Sequence, residues 1–299
     1  MIPGSYVQQV ACGWNHTLLL NDLGQVYAAG SGTFGQLGIA GVPADGSIAL
    51  GGWTQVPAPV GSVFVRIACG IRHSLALDQD GLVYGWGANR CGQLGIPPDK
   101  RSPNIPTMAL VSQGLPPIAM IACGRSHSIL VAQDRRTVFV AGQDKYAQCG
   151  PAASHMVAGT WRTFQLPRDA IKACSGWDFG AILLGEPTDG DEERGIGNVV
   201  VWGRGDHGQV AQRVENGCLR DLGYIAVAGV CDMVCGSSHV VALTQDGSVY
   251  MWGWNEHGNA GNPNLENIFT PLCVHDGHGN PDNRAVSIGC GYGNSYVVS

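Results

Sequence analysis

The stretch "ACGIRHSLALDQDGLVYGWGANRCGQLG", from Ala68 to Gly95, holds two short apolar runs on either side of an Asp-Gly dipeptide. Two β-prone runs around Asp-Gly predict a hairpin, because glycine accepts the positive φ that the turn requires. The second run leads into glycines that end in Gln-Leu-Gly, and no 3.6-residue periodicity follows. The stretch therefore predicts strand, turn, strand and a second tight turn.

Both halves of this stretch recur along the chain. The first half recurs as "ACGWNHTLLL", "ACGRSHSILV", "ACSGWDFGAILL", "VCGSSHVVAL" and "GCGYGNSYVV", with its anchor glycine every 52 to 60 residues. The second half recurs as "GQVYAAGSGTFGQLG", "RTVFVAGQDKYAQCG", "GNVVVWGRGDHGQVA" and "GSVYMWGWNEHGNAG". Two interleaved series with one period indicate a repeat architecture.

The repeat predicts an all-β fold, a β-propeller with four short strands in each blade of about 50–60 residues. Glycine fills 45 of 299 positions, about twice the usual share, as many tight turns require. We expect a single domain, 1–299, with units near 7–61, 62–117, 118–170, 171–229 and 230–284 and a half unit at 285–299. The tryptophans on the strands, Trp86, Trp202 and Trp252, are expected in the blade core.

Composition limits the classes of partner. The formal net charge is −6 and no basic run reaches five residues, which argues against nucleic acid as a partner. No apolar run is long enough to span a bilayer, and "MIPGSYVQQV" lacks the features of a signal peptide, so we expect no membrane insertion. We expect a soluble protein in the cytoplasm, with the nucleus as a second location.

A formal match to the dinucleotide-binding pattern G-x-G-x-x-G occurs at Gly30 to Gly35. The equivalent segments, Gly87 to Gly92 and Gly253 to Gly258, lack the middle glycine that Gly32 supplies here. No helix is predicted after any of them, so there is no helix N-terminus to hold a pyrophosphate. The match predicts a blade turn, and no cofactor is expected.

The cysteines and histidines also follow the repeat. Histidines 16, 73, 127 and 239 share one position, and we expect them to brace turns, because adjacent units hold them too far apart for one metal ion. Cys273, His275 and His278 are better spaced for a metal, but no fourth ligand is evident, so no metal site is predicted. Five cysteines beside the anchor glycines are expected to be buried, unpaired thiols: Cys12, Cys69, Cys123, Cys235 and Cys290.

The paired signatures "ACGxxHSLAL" and "VYxWGxNxxGQLG" resemble the repeats of the regulator of chromosome condensation family, a propeller usually of seven blades. Val7–Trp14 and Trp252–Asn259 are most similar to the branch linked to secretion and guanine nucleotide exchange, and the second segment also to the α-tubulin suppressor branch. The resemblance implies a protein partner. It would be a small GTPase or an exocyst component for the first branch, and a small zinc protein for the second.

Members of that family carry a further unit and a half before the point at which this chain starts. Five full units are followed here by a lone half, Cys290 to Val298. An unpaired blade edge is an aggregation hazard. We therefore expect an open or gapped propeller, an incomplete form of the seven-bladed ring.

No catalytic constellation can be grouped by motif, so the sequence predicts a non-enzymatic, protein-binding propeller that acts as a regulator or scaffold. The alternatives are a guanine nucleotide exchange factor for a small GTPase, and a scaffold in diphthamide synthesis or tRNA wobble-uridine modification.

Equivalent loops emerge on one face of a propeller, and their variable aromatic and charged residues suit a protein interface. The predicted partner-binding residues are Asn89, Arg90, Tyr146, Arg204, Asp206, His207, Trp254, Asn255, Glu256 and His257. A second candidate is the acidic insertion within Gly185 to Asn198. Its candidate residues are Glu186, Asp189, Asp191, Glu192 and Glu193.

Overall fold

The structure, a computed structural model, describes residues 6–41, 52–151, 157–186, 197–277 and 283–299. Within these ranges the strands form five four-stranded antiparallel sheets and one two-stranded sheet, each from strands that are consecutive in the chain. The all-β prediction is confirmed. The described part contains no helix long and apolar enough to cross a membrane.

The chain divides into two compact units, which are described separately. Unit 1 comprises Met1–Gln143 and His155–Gln165. Its three sheets, blades 1 to 3, each follow the strand order of the chain. The strands are β1 (Val7–Cys12), β2 (His16–Asn21), β3 (Val26–Gly30), β4 (Thr54–Gln55), β5 (Phe64–Cys69), β6 (His73–Asp78), β7 (Val83–Ala88), β8 (Asn104–Leu110), β9 (Ile118–Cys123), β10 (His127–Ala132), β11 (Thr137–Gly142) and β12 (Arg162–Gln165).

Unit 2 comprises Asp144–Ser154 and Leu166–Ser299. It holds blades 4 and 5 and a two-stranded half-blade, with a short 3-10 turn at Glu215–Gly217. The strands are β13 (Ala170–Ser175), β14 (Phe179–Leu184), β15 (Val199–Arg204), β16 (Cys218–Ile225), β17 (Val230–Cys235), β18 (His239–Thr244), β19 (Val249–Gly253), β20 (Ile268–His275), β21 (Ser287–Cys290) and β22 (Ser295–Val298).

The core of each unit lies on the second and third strands of its blades. Every residue of β6, β10, β14 and β18 is buried, because the apolar runs "SLAL", "SILV", "AILL" and "VVAL" pack against the neighbouring blade on one face or the other. The three strand tryptophans, Trp86, Trp202 and Trp252, are fully buried, as the sequence predicts.

Adjacent blades are joined at one main-chain carbonyl. The carbonyl oxygen of Gln36, in the turn after β3, accepts a hydrogen bond from Ser74 Oγ (2.9 Å) and another from Trp86 Nε1 (2.8 Å), both in blade 2. Ser74 Oγ lies 3.0 Å from His16 Nε2 in blade 1. Ser74 has one hydroxyl hydrogen, and it donates that hydrogen to the Gln36 carbonyl. The imidazole of His16 must therefore donate from Nε2 to Ser74 Oγ, which fixes His16 as the neutral Nε2–H form.

We call this arrangement of histidine, serine and turn carbonyl the latch, and parts of it recur in both units. His73 Nε2 lies 3.1 Å from Ser128 Oγ, and His239 Nε2 lies 2.9 Å from Ser295 Oγ. Ser295 in turn donates to the Asn259 carbonyl at 2.8 Å. The tryptophan bond recurs from Trp202 to the Gln148 carbonyl (2.9 Å) and from Trp252 to the Gln209 carbonyl (3.2 Å).

Blade 4 replaces the polar pair of the latch with an apolar one. The histidine position holds Phe179, and the serine position of blade 5 holds Val240. Both side chains are completely buried in one hydrophobic cluster. A phenyl ring needs no hydrogen-bond acceptor, so valine can replace serine without leaving a buried donor unsatisfied.

The hairpin turns have the predicted geometry. Gly24, Gly81 and Gly247 have φ values of +71°, +81° and +83°. At the third hairpin the non-glycine Arg135 takes a φ of 60°, and the Asp134 side chain accepts the N–H groups of Arg136 and Thr137 at 2.9 Å each. These side-chain bonds stabilise the turn where glycine is missing.

The nucleotide-like segment is a pair of turns. The N–H of Gly35 donates to the Gly32 carbonyl (2.8 Å), and the N–H of Gly38 donates to the Gly35 carbonyl (2.9 Å). No helix follows these turns in the described segment up to residue 41. The blade-turn interpretation is confirmed.

Gly35→Ala should lower the free energy of unfolding by more than about 1 kcal/mol. Gly35 has a φ of +78°, and an added Cβ would lie 2.7 Å from the backbone Cα of Pro106, so both strain and a clash are introduced. Gly32→Ala is the matched control, because the φ of Gly32 is not in the left-handed region. Urea denaturation of both variants measures the difference, and equal midpoints would contradict the structural role of Gly35.

Candidate functional site

An ion-paired group lies in the turns of unit 2. The Arg204 guanidinium binds Asp206 in a two-pronged manner, with Nε to Oδ1 at 2.9 Å and Nη2 to Oδ2 at 2.7 Å. It also lies over the Tyr146 ring, 4.9 Å from the ring centre. Partial burial alone would raise the pKa of Asp206, but the hydrogen bonds and charge of Arg204 keep it below its usual value.

A second group lies in the next turn of the same unit. The rings of Trp254 and His257 meet edge to face at 5.1 Å, and Asn267 Nδ2 donates to Glu256 Oε1 at 3.3 Å. Hydrogen bonds from Trp254 and Asn267 lower the pKa of Glu256, and the nearby His207 contributes to the same shift. His207, whose Nδ1 lies 3.5 Å from Asp206 Oδ1, is therefore within electrostatic range of both groups.

These two groups form what we call the unit 2 turn surface. Asp206, Glu256 and His257 are exposed, whereas Arg204 and Trp254 are partly exposed and already held by neighbours. Side chains that are fixed before binding lose less conformational entropy in a complex. The surface consists of Tyr146, Arg204, Asp206, His207, Trp254, Glu256 and His257.

A repeated glutamine holds the displayed residue in place in the turns of Phe34, Tyr146 and His207, whereas Asn259 stands at this position in the turn of Trp254 and donates to the Trp254 carbonyl. Gln148 Oε1 accepts the N–H of Tyr146 (2.7 Å), and Gln209 Oε1 accepts the N–H of His207 (2.8 Å). In unit 1, Gln36 Oε1 accepts the N–H of Phe34 at 2.8 Å. The side chain of the glutamine thus orders the exposed end of the turn, while its carbonyl bonds the next blade.

Two predicted partner contacts are wrong. Asn89 and Asn255 are 1% and 0% exposed. Asn89 Nδ2 donates to the Ile96 carbonyl (2.8 Å), and its Oδ1 accepts the N–H of Leu94 (3.0 Å). Asn255 makes the same two kinds of bond, with Asn262 and Ala260. A short amide in this position closes the turn from inside and cannot reach a partner.

The remaining predicted residues are distributed as follows. Arg90 is exposed and belongs to unit 1, where it lines a cleft with Phe34 and Arg72. Glu186 is exposed at the start of the acidic insertion. The other insertion candidates, Asp189, Asp191, Glu192 and Glu193, lie outside the described residues.

The repeat histidines are buried and neutral. Burial lowers the pKa of His16 and His239 to about 4, and burial is also the main cause that lowers the pKa of His73 and His127 to about 3. Their positions at the starts of β2, β6, β10 and β18 brace the preceding turns, as expected.

No group of three potential metal ligands occurs among the described residues. In the candidate site from the sequence, His275 Nε2 donates to the Asn283 carbonyl (2.6 Å), and Cys273 Sγ donates to the His275 carbonyl (3.4 Å). The third candidate, His278, lies outside the described residues.

All eleven cysteines are free, but their burial differs from the prediction. The expectation of a buried Cys12 is wrong, because its side chain is exposed; Cys69, Cys123, Cys235 and Cys290 are half-buried. Cys69 Sγ donates to the Ala11 carbonyl of the preceding blade at 3.4 Å. Cys12 lies in blade 1, which has no preceding blade in unit 1 to cover it.

Comparison with known families identifies the repeat. Two models of the regulator of chromosome condensation (RCC1) repeat match the chain. One matches residues 24–77, 80–131 and 246–298, more than half of the chain, and the other matches residues 7–36, 64–93 and 230–259. Blade 4, which contains Phe179, lies outside these ranges.

The chain is similar to named proteins over nearly its whole length. The secretion-regulating guanine nucleotide exchange factor of Mus musculus is 28% identical over 99% of this chain, which spans 66% of that relative. Two solved structures, each 23% identical over 98% of this chain, share the fold: human WBSCR16 (TM-score 0.79, 72% of its chain covered) and Saccharomyces cerevisiae Prp20p (TM-score 0.78, 68% covered). Prp20p is described as binding Gsp1p and histones.

The buried histidines predict loss of stability in mild acid. Their pKa values lie below the ordinary value of 6.5, so the unfolded chain binds more protons between about pH 6.5 and 4. The free energy of unfolding should therefore fall as pH falls, by roughly 1 kcal/mol per pH unit for each histidine. Urea denaturation at pH 7, 6, 5 and 4.5 measures the slope.

The Phe179–Val240 pair suggests a matched variant. His239→Phe combined with Ser295→Val should reduce the slope of the free energy of unfolding against pH by the contribution of one histidine, because the new pair does not titrate. Val60→Ala, a change at an exposed side chain that does not titrate, is the control and should leave the slope unchanged. The interpretation fails if the first variant keeps the wild-type slope.

The thiols should separate by exposure in a labelling experiment. Cys12, Cys231 and Cys273 are exposed and should react first with a thiol reagent at neutral pH. Cys290 should be slow, because burial raises its pKa to about 12. Mass spectrometry of the native protein after brief labelling identifies the sites, with Cys12→Ser as the control, and prompt labelling of Cys290 would refute the assignment.

Proposed function

Because the chain belongs to the regulator of chromosome condensation (RCC1) repeat family, we propose that it is a non-enzymatic propeller that binds another protein through the unit 2 turn surface. One observation carries the proposal: Arg204, held by Asp206 and stacked on Tyr146, lies in one continuous group with His207, Glu256 and Trp254. A location in the cytoplasm, with the nucleus as the alternative, is part of the proposal.

The chemistry of the surface suits a protein partner. Tryptophan, tyrosine and arginine carry most of the binding energy in protein interfaces, and here all three occur together. The ion pair neutralises the one arginine, so the surface does not depend on a strongly charged ligand. The displayed residues vary between repeats, while the residue that holds them is Gln148 or Gln209 in two turns of this unit and Asn259 in the turn of Trp254.

The serine–histidine pairs of the latch do not support a catalytic alternative. A nucleophilic serine must donate its hydrogen to the histidine that activates it. Here the direction is reversed, because Ser74 donates to the Gln36 carbonyl and His16 donates to Ser74. Both side chains are buried, which also denies access to a substrate.

Nucleotide exchange on a small GTPase is the second candidate function. It is favoured by the name of the mouse relative, which is similar over 99% of this chain and 66% of its own length, and by the binding of Gsp1p ascribed to Prp20p. An exchange factor must insert a group into the nucleotide site, and the acidic insertion at Glu186 is the candidate element. Release of a fluorescent GDP analogue from a panel of small GTPases tests this candidate.

Trp254→Ala combined with Glu256→Ala should abolish recovery of the main partner in an affinity pull-down. Both side chains lie at the surface, so their loss should change the thermal unfolding temperature little. Mass spectrometry of the recovered proteins, with melting curves of both variants, gives the readout.

The control variant is Trp53→Ala combined with Asp80→Ala, an exposed tryptophan and an exposed aspartate of unit 1. It should recover the partner at the wild-type level. If the double variant at Trp254 and Glu256 still binds, the proposed surface is wrong. Recovery of a small zinc protein in place of a GTPase or exocyst component would favour the modification scaffold.

A further inference from the structure

A cleft in unit 1 has an unusual concentration of positive charge. It has a volume of about 350 Å³ and lies between turns of blades 1, 2 and 3. Arg72, Arg90 and Arg125 line it together with Phe34 and Ile71. It belongs to a chain whose net charge is −6, so three arginines at one place are a local reversal of sign.

Among the residues that the structure describes, no carboxylate lines this cleft. Besides the three arginines, Phe34 and Ile71, its walls are formed by Ala88, Cys91, Gln93, Ser126 and Gln143. Within the described residues Arg72 and Arg90 make no ion pair. The like charges of Arg72 and Arg90 repel one another across the cleft, and a bound anion relieves that repulsion.

The guanidinium of Arg72 is already positioned. Its central carbon lies 4.2 Å from the centre of the Phe34 ring, in a cation–π contact. Stacking occupies the flat face of a guanidinium and leaves its N–H edge available for a two-pronged bond to a carboxylate. The arginine is thus held while its donors remain open.

Gln93 provides an independent sign of a ligand. It is 3% exposed and lines the cleft, and its Oε1 accepts the N–H of Cys91 at 3.1 Å. Its amide nitrogen donates to no acceptor within the described residues. In blade 1 the equivalent Gln36 Nε2 donates to Asn15 Oδ1 at 3.3 Å, but blade 2 has Arg72 at the position of Asn15. The side chain of Gln93 is therefore nearly buried at the wall of the cleft, while its amide nitrogen remains without a protein acceptor among the described residues.

The backbone of the cleft favours distributed carboxylates over a single phosphate. Tight phosphate sites use several free backbone N–H groups. Here the N–H groups of Ala88, Cys91 and Gln143 already donate, to the Arg72 carbonyl, Gln93 Oε1 and the Ser126 carbonyl. The side-chain donors of Arg72 lie on one turn and those of Arg90 and Gln93 on another, beside an apolar wall.

We propose that this cleft binds an acidic peptide segment of a partner protein, with Arg72, Arg90 and Gln93 donating to aspartate or glutamate carboxylates and Phe34 and Ile71 contacting an apolar residue between them. This assignment goes beyond the proposed function, because it concerns unit 1 and does not involve the unit 2 turn surface. A peptide that alternates acidic and apolar residues matches both walls.

The test uses a fluorescein-labelled peptide of alternating Asp and Leu, with fluorescence anisotropy on the whole protein. Arg72→Gln and Arg90→Gln should each weaken binding about tenfold, because each removes charge-assisted hydrogen bonds. Binding should also weaken with added salt. Arg66→Gln, an exposed arginine of blade 2 outside the cleft, is the control and should bind as the wild type does.

Further arms separate the alternatives. A peptide with Asn in place of Asp should not bind, and the variant with Trp254→Ala and Glu256→Ala should bind the acidic peptide normally. The proposal is overturned if the Asp peptide does not bind, if the Asn peptide binds equally well, or if Arg72→Gln and Arg90→Gln have no effect. Binding of inorganic phosphate with no binding of the Asp peptide would assign a phosphate site instead.

Discussion

Hydrogen bonds to one main-chain carbonyl of the turn, at Gln36, Gln148, Gln209 and Asn259, hold neighbouring blades together, and the rest of the structure depends on them. At Gln36 that carbonyl accepts both Ser74 and Trp86 of the next blade, while the side chain of the same glutamine holds the N–H of Phe34. One residue therefore connects the buried contact between blades to the exposed end of the turn. A change in the displayed residue leaves the carbonyl bonds intact. Because the exposed end of the turn can change without loss of the buried contact between blades, one scaffold can present different surfaces.

The latch also shows how a repeat tolerates substitution in its core. A buried imidazole needs an acceptor, and a buried serine needs both a donor and an acceptor, so His16 and Ser74 are tied to each other and to Gln36. Phe179 and Val240 replace such a pair together. A single replacement would leave one polar group unsatisfied, at a cost of about 1–3 kcal/mol. The polar and the apolar versions of the contact therefore both avoid an unsatisfied buried group.

The sequence predicts those parts of the structure that repeat, because a periodic pattern reports strands, turns and the buried tryptophans directly. It does not report which of two adjacent turn residues points inward. Asn89 and Arg90 are neighbours in a polar turn, yet the first closes the turn from inside and the second lines the cleft. The arginines at 72 and 125 were missed because they lie in the turns before His73 and His127, positions interpreted only as braces. The sequence does place arginines in equivalent turns of two successive blades, and this pattern could have indicated the cationic cleft.

The two candidate surfaces use arginine in opposite ways, and this follows from what lies beside it. Arg204 is paired with Asp206 in its own turn, so added salt has little net charge to screen and the aromatic rings should dominate its contacts. Arg72 is stacked on Phe34 and has no carboxylate beside it among the residues that line the cleft, so its charge is available to an anionic group. The same turn scaffold thus produces a nearly neutral aromatic surface in unit 2 and a cationic cleft in unit 1. A partner that contacts both must carry apolar contacts for one and carboxylates for the other.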